Sequence, residues 1–327
     1  YIPDSPNNVF FLNHSPCANF IQSLKETHTK SSIIFTIHDF GWTRLLSGSL
    51  DEYIKAIKSH RDNKKDETPE LTVYHQEKRI YELADKIICL SPDTYNILRT
   101  VYKVPAVKVS LIPNGLRLKR KGMFPSNDEK QKIRISKNIN VEDKILLFVG
   151  RPTAQKGVFE LIHTTRVVLK EFPNTKLALI GDGNEVPMKE IINASSQIAT
   201  SVIITGQLNR AELEEWLTIA DIGIISSYYE QCSYTAIEMM MHGLPIIASD
   251  GLGIRNMFVD GVNAKVAKIG NRKKLKQYRA NLADSIIHLL RSPGLCDNLS
   301  KEAMKTYNER YTIKEMKINY TNLLKSL

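Results

Sequence analysis

Residues Ile222–Asp250 read IGIISSYYEQCSYTAIEMMMHGLPIIASD. An apolar run, Ile222–Ile225, is followed by a polar loop that brings up Glu230. A segment with helical spacing, Ser233–His242, carries Glu238 and ends at Gly243, and Pro245–Ala248 forms the next apolar run. Strand, acid-bearing loop, helix, strand is how an open α/β sheet builds a site at the carboxyl ends of its strands.

Outward from this stretch the same alternation continues in both directions. Upstream, strands are expected at Ile145–Val149, Leu177–Ile180 and Val202–Thr205, separated by helices at Val158–Phe172, near Val186–Ala194 and at Ala211–Ala220, the last with Asn209 as N-cap. This order implies a parallel, doubly wound sheet with right-handed crossovers. Nearer the start, apolar runs at Asn8–Asn13, Ser31–Ile37, Lys86–Leu90 and Val107–Ile112 read as strands of a second α/β domain. Helices are expected at Ala18–His28, Leu50–Ser59, Leu71–Ala84 and Asp93–Tyr102, with the charged stretch 60–70 as a loop. The basic, apolar-poor stretch Arg117–Asn140 reads as an interdomain linker. Helices over Leu275–Arg291 and from Cys296 onward finish the chain. The division expected is an amino-terminal domain over 1–138, a carboxyl-terminal domain over 139–306 and a closing helix over 307–327 that packs back on the first domain. The first domain opens on a central-type strand with no preceding βα unit, so an amino-terminal portion is expected to be missing.

Composition narrows the function. The chain has 327 residues, 42% hydrophobic and 24% charged, which suits a soluble protein of two domains. Its net charge of +10 favours an anionic substrate, an anionic membrane surface or merely a solvated surface. The clusters Arg117–Lys121 and Arg272–Lys276 lack aromatic interleaving, which argues against nucleic acid. Cys17, Cys89, Cys232 and Cys296 are scattered, which points to a reducing, cytoplasmic compartment and to neither a metal site nor a disulfide framework. No apolar run approaches the roughly 18 residues that span a bilayer.

Gly150-Arg-Pro-Thr-Ala-Gln-Lys-Gly157 lies between a strand and a helix start. Backbone donors, the positive end of the helix dipole, Arg151 and Lys156 together suit a phosphate or diphosphate. The G-K-[ST] ending of a P-loop is absent, and a solvated turn with two surface cations is the competing reading. Gly181-Asp-Gly183 follows the next strand, where Gly181 and Gly183 allow a ligand close backbone approach. Glu230 can accept from sugar hydroxyls and Glu238 suits a vicinal diol such as ribose, with paired-carboxylate acid/base work as the rival role. Ser233, Tyr234 and Thr235 present donors at the start of their helix. His38 and His14 both end strands, where a hydrogen-bonded structural histidine is the ordinary case.

These motifs, in their order, are TIHD (36–39), LSPDT (90–94), IPNG (112–115), GRPTAQKG (150–157), GDG (181–183), the stretch 228–250, GLGI (251–254) and VDGVNA (259–264). Together they resemble the retaining GT-B glycosyltransferases of group 1, family 4. That resemblance implies two Rossmann-like domains facing a cleft and a UDP-sugar or GDP-sugar donor, with neither cofactor nor metal. It implies a sugar, lipid-linked or other hydroxyl acceptor, in glycan or glycoconjugate synthesis. By position, Arg151 and Lys156 would bind the donor diphosphate, Glu238 the ribose and Glu230 the transferred sugar, with His38 at the donor–acceptor junction. The positive charge allows peripheral contact with the inner membrane face. Two departures stand out: Gly251-Leu-Gly-Ile-Arg-Asn256 lacks the family's acid, and Ala264 replaces a common Gly. Two other readings share the fold: a nucleotide-sugar epimerase or hydrolase, separable by an acceptor-free product assay, and a non-catalytic nucleotide-sugar-binding subunit, which would bind donor without consuming it.

Overall fold

The protein is described by a computed structural model that covers residues 2–13, 18–63, 68–117, 126–182 and 188–327. It divides into two compact units. The first contains Tyr1–Asn114, Tyr229–Cys232 and Lys314–Leu327; the second contains Gly115–Tyr228 and Ser233–Ile313.

The first unit is built on a parallel sheet of β1 (Val9–Leu12), β2 (Ser32–Thr36), β3 (Lys86–Cys89) and β4 (Val109–Leu111), paired in that order. The middle strands are continuous apolar runs because helices cover a parallel sheet on both faces: Ile33, Ile34, Ile87 and Ile88 are all buried. The helix Leu50–Asn63 runs further into the charged stretch than expected, and Pro69 opens the next helix, Pro69–Leu83. Asp51 and Glu52 in the first turn of Leu50–Asn63 suit the helix dipole, so a polar sequence can still propagate once nucleated.

The second unit carries β5 (Lys144–Val149), β6 (Thr175–Ile180), β7 (Val202–Gly206), β8 (Ile222–Ile225), β9 (Ile246–Ser249) and β10 (Lys265–Ala267). All pairings are parallel and the spatial order is β7-β6-β5-β8-β9-β10. The winding reverses between β5 and β8, so this is the doubly wound arrangement expected, with its crevice at that switch point. Val158–Val168 and Leu275–Leu290 are among the helices covering it, through Leu161, Ile162, Leu282, Ile286 and Leu289. Asn209 caps the helix Arg210–Ile219 through a full capping box with Glu212.

Three expectations are corrected. The supposed linker 117–140 contains a helix, Asn127–Ser136, capped by Ser126, whose hydroxyl accepts from Glu129 N–H at 3.2 Å. It is held by a polar anchor rather than an apolar face. Buried Arg134 donates to Val141, Asp143 and Ile219 carbonyls at 2.8–2.9 Å and pairs with Asp221 at 2.7 Å. The final helix is two, Pro293–Arg310 and Ile313–Leu324, because Leu116 bridges the break, donating to Tyr311 O and accepting from Ile313 N–H at 2.9 Å each. The edge strand β10, too short for a periodicity signal, was not anticipated. The described part of the helix expected near 186–194 is Met188–Ser195.

Replacing Arg134 by Met should destabilise the second unit by about 3 kcal/mol, the cost of breaking a buried pair. Urea unfolding followed by circular dichroism checks it, and a change within error would remove Arg134 as the anchor.

Candidate functional site

The loop after β5 is shaped by its contacts with the segment after β8. Thr153 starts the short turn Ala154–Lys156, its hydroxyl accepting from Lys156 N–H at 3.3 Å. The Lys156 carbonyl accepts from the Ser226 hydroxyl at 2.8 Å, and Tyr228 N–H donates to Gln155 O at 2.9 Å. Gly157 then turns the chain with φ +69°, and a Cβ there would lie 2.2 Å from Ser226 O. Only glycine meets both demands. Gly181, at the end of β6, is held likewise: its φ is +133° and an added Cβ would lie 2.2 Å from Gly150 O. The three strand ends β5, β6 and β8 are thereby drawn together around a glycine-lined backbone surface.

Arg151 lies exposed on this surface and Lys156 is half-buried. The helix Tyr234–Met241 starts beside them, with the Thr235 hydroxyl donating to Val149 O at 3.3 Å. Ser233 caps that helix by accepting from Ala236 N–H at 3.3 Å, and Tyr234 is exposed. Two cations, a helix N-terminus and a close-approach backbone therefore converge at the switch point, an arrangement suited to a diphosphate. Gly183 and His14 lie outside the described residues.

Glu238 sits on the same helix and is tied into an ion network that the sequence did not disclose. Arg210 donates to its Oε1, Arg210 also pairs with Glu214 at 2.5 Å, and Glu214 meets His242 Nε2 at 2.6 Å. Burial works against the Arg210 charge, but Glu238 and Glu214 outweigh it and raise its pKa. Glu214 is lowered because His242 and Arg210 outweigh its own burial. Arg210 opens its helix, 28 residues from Glu238 in sequence, so no local spacing could have linked them. Arg272, read from the sequence only as part of a basic cluster, packs on the segment after β8: its guanidinium lies 5.4 Å from the Tyr228 ring centre and donates to Tyr228 O at 3.1 Å.

His38 and Glu230 belong to the first unit. His38 is exposed directly after β2, and Asp39 beside it accepts from the Thr43 hydroxyl at 2.8 Å. Glu230 follows Tyr229, whose ring lies 6.4 Å from Trp42. Among the described residues, no cluster of His, Cys, Asp or Glu is placed to hold a metal ion, and no helix is long and apolar enough to cross a membrane. A cavity of about 470 Å³ lies at the opposite, amino-terminal edge of the second sheet, beside Asp221 and Pro245 and away from the glycine loops.

Residues 129–306 match the family model described as glycosyl transferases group 1, and residues 11–120 match the model for glycosyltransferase family 4. The lipopolysaccharide 1,2-N-acetylglucosaminetransferase of Salmonella typhimurium is 27% identical over 168 residues, covering 49% of this chain and 43% of that protein. The chain spans about half the length of the curated relatives it matches. Sucrose-phosphate synthase from Thermosynechococcus elongatus superposes with a TM-score of 0.75 at 22% identity, covering 97% of this chain and 73% of the other. Anabaena HepE in complex with UDP-glucose gives 0.73 at 15% identity, covering 97% and 79%. These likenesses establish the two-domain GT-B fold.

Gly157→Ala should cost clearly more stability than Gly206→Ala. Both positions have φ +69°, but nothing lies within 4 Å of a Cβ at Gly206. Backbone strain of about 1–3 kcal/mol is common to both, and only Gly157 adds the clash with Ser226. Equal thermal destabilisation of the two variants would show that the Ser226 contact does not constrain the loop.

Proposed function

The chain belongs to the group 1 glycosyl transferases, and from that premise we propose that it moves a sugar from a nucleoside diphosphate sugar to an acceptor hydroxyl with retention of anomeric configuration. The observation that carries this is the convergence of Arg151, Lys156, the Tyr234–Met241 helix start and the Gly150–Gly181 backbone at one switch point.

In this reading the diphosphate lies on the glycine surface. Arg151 offers a planar fork to its oxygens and Lys156 a compact charge. Glu238 accepts from the ribose hydroxyls while Arg210 orients its carboxylate. Glu230 holds the transferred sugar by its hydroxyls, and His38 lines the place where the acceptor meets the anomeric carbon. The bond from that carbon to the diphosphate oxygen breaks as the acceptor oxygen attacks the same face. The departing diphosphate takes the acceptor's proton, and its growing negative charge is what Arg151 and Lys156 stabilise. The step as drawn uses no metal: the two cations and the helix N-terminus meet the charge that develops.

Support for a nucleotide-sugar donor comes from the family and from the UDP-glucose bound by the superposing HepE. Support for a glycan or glycoconjugate acceptor comes from the Salmonella relative. The net charge of +10 suits an anionic donor and is compatible with a lipid-linked acceptor at an anionic membrane face.

Lys156→Ala should abolish transfer, measured as release of nucleoside diphosphate in the presence of acceptor, while leaving the unfolding midpoint unchanged. Undiminished turnover would sink the assignment of the site.

A further inference from the structure

Glu77 is a buried carboxylate that the proposed reaction leaves unused. It lies on the helix Pro69–Leu83 and is 7% exposed. Its two oxygens face two donors. Gly41 N–H reaches Oε1 at 2.7 Å, and the Tyr102 hydroxyl donates to Oε2. Tyr102 in turn lies 2.9 Å from the Tyr53 hydroxyl. Aromatic rings close around this chain: Trp42 stacks on Tyr53 at 4.6 Å, Phe40 on Tyr102 at 6.0 Å and Tyr74 on Tyr102 at 5.3 Å, with Tyr81 edge-on to Tyr102 at 5.0 Å.

Gly41 belongs to the turn that carries His38. That turn seats directly on the Glu77 helix, since a Cβ on Gly41 would lie 3.0 Å from Val73 Cγ1. Trp42 also reaches Tyr229, the neighbour of Glu230. We propose that Glu77 is a positioning residue for the His38 turn, holding Gly41 by its N–H and setting how His38 is presented at the carboxyl end of β2. The proposal rests on the reading of His38 as an active-site residue given above.

Two arrangements of the hydroxyl chain follow from donor and acceptor counts. Ionised Glu77 accepts from both Gly41 and Tyr102. Once a proton from water binds the Tyr102-facing oxygen, Glu77 must itself donate; Tyr102 then accepts from it and turns its own proton toward Tyr53. Gly41 N–H keeps its bond to the other oxygen in both states, but that bond is stronger to the ionised carboxylate than to the neutral acid, so the hold on the turn changes with the switch. Burial pushes the Glu77 carboxyl up to about 7, with the Asp39 charge adding to the rise and the Tyr102 and Gly41 hydrogen bonds opposing it. The titratable and charged groups around it are Asp39 in the turn, Arg44 (3.9 Å from Asp39), Tyr53, Tyr74, Tyr81, Tyr102 and Tyr229. From the helix Ala18–Thr27, Lys25 is paired to Asp85 at 2.5 Å.

Because the folded value is raised, the group's contribution to stability is full below about 4.5 and is lost as pH rises through about 7. Ionisation therefore tightens the bond to Gly41 at a cost in stability.

The test follows kcat against pH, together with the emission of Trp42 in a Trp216→Phe background that leaves it the sole tryptophan. The wild type should show a step in both with a midpoint near 7. Glu77→Gln should remove both steps while the donor KM stays within about twofold. Tyr102→Phe should move both steps to higher pH, because a hydrogen bond favouring the charged form is gone. It also serves should Glu77→Gln fail to fold. Profiles of the variants that superpose on the wild type would overturn the proposal, even if stability falls. Full turnover by His38→Ala would instead defeat the reading of His38, and the emission step would still decide whether Glu77 governs the turn.

Discussion

At the switch point of the second sheet, two backbones approach more closely than a side chain permits. The Gly157 Cα faces the Ser226 carbonyl and the Gly181 Cα faces the Gly150 carbonyl, each leaving room for hydrogen alone. Those two contacts draw the ends of β5, β6 and β8 together. They also set the start of the Val158–Val168 helix and, through Thr235 and Val149, the start of the Tyr234–Met241 helix. A larger residue at either glycine would open the crevice before any change in charge was felt. The chemistry assigned to Arg151 and Lys156 therefore depends first on steric closeness and only then on electrostatics.

The first unit solves a different problem. It must hold a solvent-facing histidine on a short turn after β2, where there is little backbone to fix it. The turn is anchored from below by buried rings and by one carboxylate, Glu77, that meets a backbone N–H rather than a cation. Burying an acid in this way is costly, and its raised pKa records the cost. A residue serving packing alone at this place could have been apolar.

Much of this was legible in the sequence. The central strands were visible because buried parallel strands are unbroken apolar runs, and the edge strands β1, β4 and β7 as shorter apolar stretches bounded by turn residues. The glycine loops stood out by their order after successive strands rather than by either loop alone. The helix Asn127–Ser136 was not, since its anchor is one buried arginine whose partners, Ile219 and Asp221, lie more than 80 residues away. Arg210 was missed for the same reason: its meaning comes from Glu238 and Glu214 together, and no local pattern joins it to Glu238. Glu77 sits on a helix in ordinary amphipathic surroundings, and nothing local distinguishes it from a surface acid. Long-range polar contacts leave no periodic trace, whereas long-range apolar ones do.

The account stands or falls on whether the β5–β8 switch point binds a nucleoside diphosphate. Thermal unfolding in the presence of UDP- and GDP-sugars, with the corresponding nucleoside monophosphates as controls, tests this directly. A ligand at about a hundred times its Kd adds ~2.7 kcal/mol of stability. At least one diphosphate donor should raise the unfolding temperature well beyond its monophosphate, and the rise should vanish when Arg151 and Lys156 are both replaced by Ala. Equal shifts for diphosphate and monophosphate, or an undiminished shift in the double variant, would contradict it.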